Sequence, residues 1–394
     1  MNSHYDVVIV GGGIQGVGVA QAAAAEGHSV LVLEKTGLAE GTSSKSSKLI
    51  HGGLRYLESW QFSLVRECLR ERSILLKIAP DLVKLRRFYI PVYEQTRRSC
   101  LHINIGLKLY YALANFRSEA KPTQIESSQW GGLDGLNTQN LKSVFCYADA
   151  QTDDRLLTKA VMNSAREMEA ELLAPAIFLS AAANAEGCEV TYAFDGEERS
   201  CTAGVLVNAG GPWVNDVARK ITPTPDLQDV DLVAGSHILL EGATTEGVYY
   251  TESPRDGRAV FVMPWYGKTL VGTTERAFRD LPDLVKPSLA EQNYLLSALR
   301  YHFPRYQDTT INDVLSAFAG LRVLPKGKGH AFHRTREVIF KMDSKDKPRV
   351  LSIYGGKLTA YRATAQDVME RLRQSLPVRA RRGQTHEIKL TLPD

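Results

Sequence analysis

The apolar run Val7-Val8-Ile9-Val10 ends in three glycines, and a small-residue segment, Val19 to Glu26, follows. That order predicts a strand, a tight turn and a helix, with Gly27 suited to the helix end. Ser29 to Leu33 predicts a second strand, closed by Glu34. Two further apolar strands run into Gly-rich turns: Gly204 to Val207 before Asn208-Ala209-Gly210-Gly211-Pro212-Trp213, and Val350 to Tyr354 before Gly355-Gly356-Lys357-Leu358-Thr359. A helix is expected over 361–376, followed by a short, basic, frayed tail.

The stretches between these ends carry their own periodicities. Gln61 to Ala79 has helical spacing and stops at Pro80. Phe88 to Tyr93 predicts a strand, with Arg97 and Arg98 on a solvated turn after it. Residues 131–147 read as loop and then an apolar turn. Asp153 or Asp154 is placed to cap a helix from Leu156 to Glu169. Residues 189–194 and 198–207 alternate like a hairpin around Asp195-Gly196. Leu232 to Leu240 reads as a strand interrupted by Gly235-Ser236-His237. Residues 259–264 and 269–274 form another hairpin pattern, 289–303 a helix, and 314–323 an apolar strand holding Gly320-Leu321-Arg322. Burying an unpaired Arg in such a run is costly, so Arg322 should face a cavity and an anion.

Gly11, Gly13 and Gly16 fill the GxGxxG pattern. The first allows the turn, the second lets backbone approach a pyrophosphate, and the third lets helix pack on strand. The helix N-terminus offers N–H groups and positive potential to the phosphates. Glu34 stands where a carboxylate accepts hydrogen bonds from ribose hydroxyls. The polar loop Thr36 to Lys48 begins where a dinucleotide would lie and runs into Leu49, His51, Gly52, Gly53, Arg55 and Tyr56. Paired glycines there let backbone come close to a flat ring. Three Gly-rich strand ends separated by long insertions indicate one discontinuous nucleotide-binding domain carrying substrate-domain insertions.

Composition removes some classes. With 394 residues and a net charge of +4, the chain can build large cores and gives no argument for nucleic acid. Its five cysteines lack metal-ligand spacing, so they read as reduced and structural in a cytoplasmic setting, with no metal site. No apolar run reaches the length of a membrane span; 101–116 comes closest but contains His102, Asn104 and Lys108, and reads as a buried or interfacial helix.

The stretches Ile9 to Gly16, Thr42 to Glu58, Leu206 to Val214, Gly235 to Ile238, Val260 to Thr274, Gly320 to Arg322 and Ser352 to Ala365 together resemble FAD-dependent glycerol-3-phosphate dehydrogenases, within the D-amino-acid-oxidase-like flavoproteins. The resemblance implies an α/β fold: a discontinuous Rossmann-like FAD-binding domain (1–80, 147–220 and 337–385), an inserted α+β substrate domain on a mostly antiparallel sheet (81–146 and 221–336), and a tail (386–394). It implies FAD, held by Gly11, Gly13, Ile14, Gln15, Gly16, Glu34, Lys35, Thr42, Ser43, Ser46, Ser47, Lys48, Leu49, His51, Gly52, Gly53, Ala209, Gly210, Trp213, Gly355, Gly356, Lys357, Leu358 and Thr359. It further implies oxidation of glycerol 3-phosphate, with electrons passed to a quinone or other acceptor and peripheral contact with the cytoplasmic membrane face. Arg55 and Arg322 would clamp the phosphate, Arg336 (or Arg334) would supply a third arginine, and Tyr56 would lie beside the substrate. His237 would take the C2 hydroxyl proton, and Lys357 would face substrate or flavin. Oxidation of another small hydroxy or amino acid, or flavin binding without turnover, are the competing expectations. Family members usually carry an Asp and an Arg where this chain has Ala22 and Glu26, a Thr or Ser where it has Ala360, and a helical C-terminal domain beyond the last FAD-domain helix, where this sequence stops.

Overall fold

The computed structural model describes residues 3–326 and 338–392, and these form two sheets. In the first, His4–Val10 lies parallel between Val30–Leu33 and Glu197–Asn208. Glu171–Leu173 extends one side, and Val350–Tyr354 pairs with Glu197–Asn208 on the other. Side chains of the central strand alternate between two cores. Val7 and Ile9 pack with the helices Ile14–Ala25, Asp154–Glu167 and Tyr361–Leu372, while Val8 and Val10 face Phe178, Val190 and Tyr192. The first helix is buried on all sides, so it needs small residues: a Cβ on Gly18 would fall 2.8 Å from the Tyr361 ring.

The second sheet is mostly antiparallel. Val83–Tyr93 pairs along its length with Leu141–Thr152, and Val248–Glu252 joins it in parallel. Ala259–Trp265, Lys268–Gly272, Val230–Leu240 and Val314–Pro325 follow antiparallel. The boundary expected at 146/147 falls inside Leu141–Thr152, whose whole length belongs to this sheet; Leu49–Ile50 also pairs with it.

Several local expectations are corrected by tertiary pairing. Val230–Leu240 runs unbroken through Gly235-Ser236-His237, because Gly235 pairs with Gly320 and His237 with Gly272. Residues 141–152 are a strand rather than a turn. The last long helix ends at Leu372. The helix Cys100–Leu113 is half-buried: Ile103, Leu107 and Tyr110 are buried, whereas Leu101 and Ile105 are exposed. Arg98 is not solvated; it pairs with Glu58 and Glu252.

The described part of the tail is not frayed. Arg379 forks onto Asp6, the Arg382 and Gly383 N–H groups cap the Ala25 carbonyl, and Leu390 is buried with its N–H on the Ile78 carbonyl. The first helix ends in orphan carbonyls, and the tail satisfies one of them.

Candidate active site

Close approach of backbone brings the first two Gly-rich ends together. Gly11 has φ +115°, and a Cβ there would lie 2.5 Å from the Ala209 carbonyl oxygen. A Cβ on Gly16 would lie 1.9 Å from the Gly11 oxygen, so that position seats the helix on the strand. The helix begins after Gly13 with no acid in its first turn. Its Ile14 N–H donates to Ser43 Oγ at 2.9 Å, which ties the Ser-rich loop to the turn. Glu34 accepts the Gly12 N–H at 2.7 Å and the Thr36 N–H at 2.9 Å. Beyond it, Lys35 lies 3.7 Å from the Trp213 ring centre, and both side chains reach Asp283.

The third Gly-rich end closes on the same space. Gln15 Nε2 donates to the Lys357 carbonyl at 3.3 Å, and the His51 N–H donates to Thr359 Oγ1 at 3.1 Å. The Ser-rich loop is shaped from inside by Lys48, which has φ +61°. Its ammonium reaches Ser44 O and Asp154 at 2.6 Å each, and Asp154 also accepts the Ser46 N–H. Burial pushes the Asp154 carboxyl up, against the pull of Lys48.

These elements enclose one cavity of about 510 Å³. Gly11, Gly13, Ile14, Gln15, Glu34, Lys35, Thr42, Ser43, Ser46, Ser47, Leu49, His51, Ala209, Gly210, Trp213, Gly355, Gly356, Lys357, Leu358 and Thr359 line it, as do Tyr56, His237 and Arg322. Gly16, Lys48, Gly52, Gly53 and Arg55 are not among the residues that line it. Gly52 gives its N–H to Tyr110, and a Cβ on Gly53 (φ +77°) would meet the Tyr56 ring at 2.2 Å; the pair thus seats Tyr56. Arg334 and Arg336 lie outside the described residues.

The inner end of the cavity is cationic. Lys357 Nζ sits 4.2 Å from the Tyr56 ring centre. Arg322 donates to Glu275 at 3.3 Å and to Thr273 Oγ1 at 3.2 Å, and Arg55 lies 3.9 Å from the same Glu275 carboxylate. The carboxylate faces these arginines because its neighbours Thr274 and Arg276 point to the opposite side, onto Glu291. Gly235 makes room: a Cβ there would fall 2.6 Å from Thr273 Oγ1 and 2.8 Å from Arg322 Nη2.

His237 stacks on Phe318 at 4.9 Å between ring centres, and its Nε2 lies 3.0 Å from Ser47 Oγ. Its Nδ1 is buried without a hydrogen-bond partner. Burial, then the charges of Arg322 and Lys48, hold the imidazole down to about 3 from the usual 6.5. His302 is similarly held down to about 4 by burial. Both are neutral in the folded protein at neutral pH, and both take up protons when unfolded below pH 6.5. Their stabilising contribution is therefore complete above about pH 6.5 and is lost as pH falls toward the folded values. The denaturation midpoint should drop over that window, each group adding a slope of up to about 1.4 kcal/mol per pH unit. Urea titrations from pH 7 to 4.5 check this, and His302→Gln should flatten the dependence.

The residues described fit FAD. The cavity runs from Glu34 past the N-terminus of the first helix to an end walled by His51 and His237, and the buried Gln15 Oε1 beside Gly356 lacks a partner. A sequence profile described as FAD dependent oxidoreductase matches residues 6–362. The chain belongs to the FAD-dependent oxidoreductase family. Over 376 residues it is 35% identical to the D-erythritol 1-phosphate dehydrogenase of Brucella abortus, covering 94% of this chain and 74% of that protein. Over 373 residues it is 36% identical to the aerobic glycerol-3-phosphate dehydrogenase of Escherichia coli, covering 93% and 73%. The solved glycerol-3-phosphate dehydrogenase from Bacillus halodurans complexed with FAD superposes with a TM-score of 0.74 at 25% identity, over 99% of this chain and 68% of that one.

Residues that sequence reasoning passed over also line the cavity. Ala176, Ile177 and Phe178 line the cavity beside Leu33, and no motif marks them. Lys45 lines it against Gly320, where a Cβ would lie 2.6 Å from the Lys45 carbonyl oxygen. Gly235 facing Gly320 across two paired strands was the available signal.

Proposed function

We propose that this flavoprotein oxidises sn-glycerol 3-phosphate to dihydroxyacetone phosphate and passes the electrons to a quinone or another acceptor. The cationic end of the cavity carries the reading. Arg322 and Lys357 line it and Arg55 shares the Glu275 carboxylate with Arg322, an arrangement suited to a phosphate dianion, which accepts paired charge-assisted bonds from guanidinium forks. Bound FAD supplies a two-electron hydride acceptor for the C2 hydrogen. The chain's own task is to hold C2 toward that acceptor and take the hydroxyl proton.

His237 is the proposed proton acceptor. It lines the cavity and is neutral, hence able to accept. Burial is the larger cause of the imidazole's depressed pKa; a phosphate on Arg322 would offset only the smaller share that comes from charge. Lys357 would balance negative charge on substrate or reduced flavin. Among the described residues no helix is long and apolar enough to cross a membrane. Peripheral contact with the cytoplasmic membrane face is supported by the exposed Leu101 and Ile105 on one helix and by Trp60 on the neighbouring turn.

The test is product analysis with a dye acceptor and a panel of glycerol 3-phosphate, D-erythritol 1-phosphate, glycerol and glycine. Dihydroxyacetone phosphate should form, and glycerol and glycine should be inert. Turnover of the longer phosphate alone keeps the anion site and lengthens the substrate. Turnover of glycine without a phosphate requirement contradicts the proposal.

A further inference from the structure

Arg55 and Tyr56 ride on a short turn, Leu54–Ser59, whose ends are both left-handed: Gly53 at φ +77° and Trp60 at φ +57°. Gly53 adopts this freely, whereas Trp60 is 79% exposed and meets the Phe62 ring edge-on at 5.6 Å between centres. The Tyr56, Trp60 and Gln61 N–H groups close the turn on its own carbonyls, and two ion pairs anchor it to the rest of the molecule. On one side Arg55 reaches Glu275. On the other, Glu58 is gripped by Arg98, from a loop 40 positions away in the chain.

The grip is a fork. Arg98 Nε and Nη2 each donate to a different Glu58 oxygen, and Nη1 donates to Glu252. Glu252 ends the strand Val248–Glu252 of the second sheet and also accepts the Arg97 N–H at 3.0 Å. Arg98 and Glu252 are largely buried, at 15% and 12% side-chain exposure, whereas Glu58 is half-exposed at 46%. The order of support is therefore rigid sheet, Glu252, Arg98, Glu58, turn. Arg98 thus stands between the two carboxylates and is bonded to both.

We infer that Arg98 is a positioning residue for substrate binding: through Glu58 it fixes the turn that presents Arg55 and Tyr56 to the phosphate-bearing substrate. This rests on the proposal that Arg55 and Arg322 hold that phosphate. Arg98 itself does not line the cavity.

The test uses FAD-loaded enzyme, glycerol 3-phosphate and a dye acceptor, with FAD content and melting temperature measured on each variant. Arg98→Ala should raise KM about tenfold or more with a smaller change in kcat, because a bidentate charge-assisted contact is lost. Arg98→Lys should recover part of the loss. Glu58→Gln, at a half-exposed position that spares the fold, should raise KM less than Arg98→Ala does. Added to Arg98→Ala, Glu58→Gln should raise KM little further, since the contact it acts through is already lost. A double variant whose KM rises by the product of the two single effects, or equal falls in kcat, FAD content and melting temperature with KM unchanged, overturns the inference. Arg322→Ala run alongside separates the two claims. If it leaves KM unaltered, the phosphate reading fails. If it abolishes binding while Glu58→Gln and Arg98→Ala keep wild-type KM, only the positioning role fails.

Discussion

Arg322→Ala is expected to lower kcat/KM for glycerol 3-phosphate by about 10²- to 10³-fold while FAD remains bound. The size follows from what the side chain faces. Arg322 projects from an apolar strand into the cavity, with Thr273 and Glu275 fixing its fork. An alanine removes two charge-assisted donors from the anion's place and leaves Glu275, at 9% side-chain exposure, with less positive charge near it. Both changes weaken phosphate binding, so their signs agree. Most of the residues proposed to hold FAD lie on other elements: the first turn, the Ser-rich loop and the third Gly-rich end. Steady-state kinetics with flavin absorbance on the same sample check the prediction. Loss of flavin together with activity would make Arg322 a structural residue.

Glu71→Ala should destabilise the protein by about 3–5 kcal/mol. Glu71 is fully buried on the helix Phe62–Ile78 and receives both arms of Arg362, itself at 3% side-chain exposure. Removing the carboxylate strands a guanidinium whose remaining described bond is to Thr385. That pair joins the helix behind Tyr56 to the helix following the 355–359 turn, and so braces the cavity from outside. Thermal or urea unfolding measures it. A loss below about 1 kcal/mol would mean that water reaches Arg362 and the pair is not a brace.

These two residues show what was legible in the chain and what was not. Arg322 stood out because an arginine in an apolar strand demands a reason. Arg362 lay in a stretch that resembles a known family, but its partner lies 291 positions away, and nothing in either local pattern pairs them. The nucleotide-binding half was readable because its chemistry is local: strand, glycines, helix and Glu34 follow in order. The second sheet was harder. Residues 141–152 hide as a strand because their polar members are buried and bonded: Asp149 to Arg72, Gln151 to the Pro264 carbonyl, Thr152 to the Leu82 carbonyl. Gly235 looked like an interruption because local propensity disfavours glycine in strands, whereas cross-strand pairing with Gly320 decides the matter. The tail looked free because its partners, Asp6, Ala25 and Ile78, are distant in sequence.

The central claim is tested most directly by mixing purified protein anaerobically with glycerol 3-phosphate and following the visible absorbance of bound flavin. The account predicts bleaching without any added acceptor, since substrate oxidation and flavin reduction are one event. A yellow protein that stays oxidised with this substrate contradicts it.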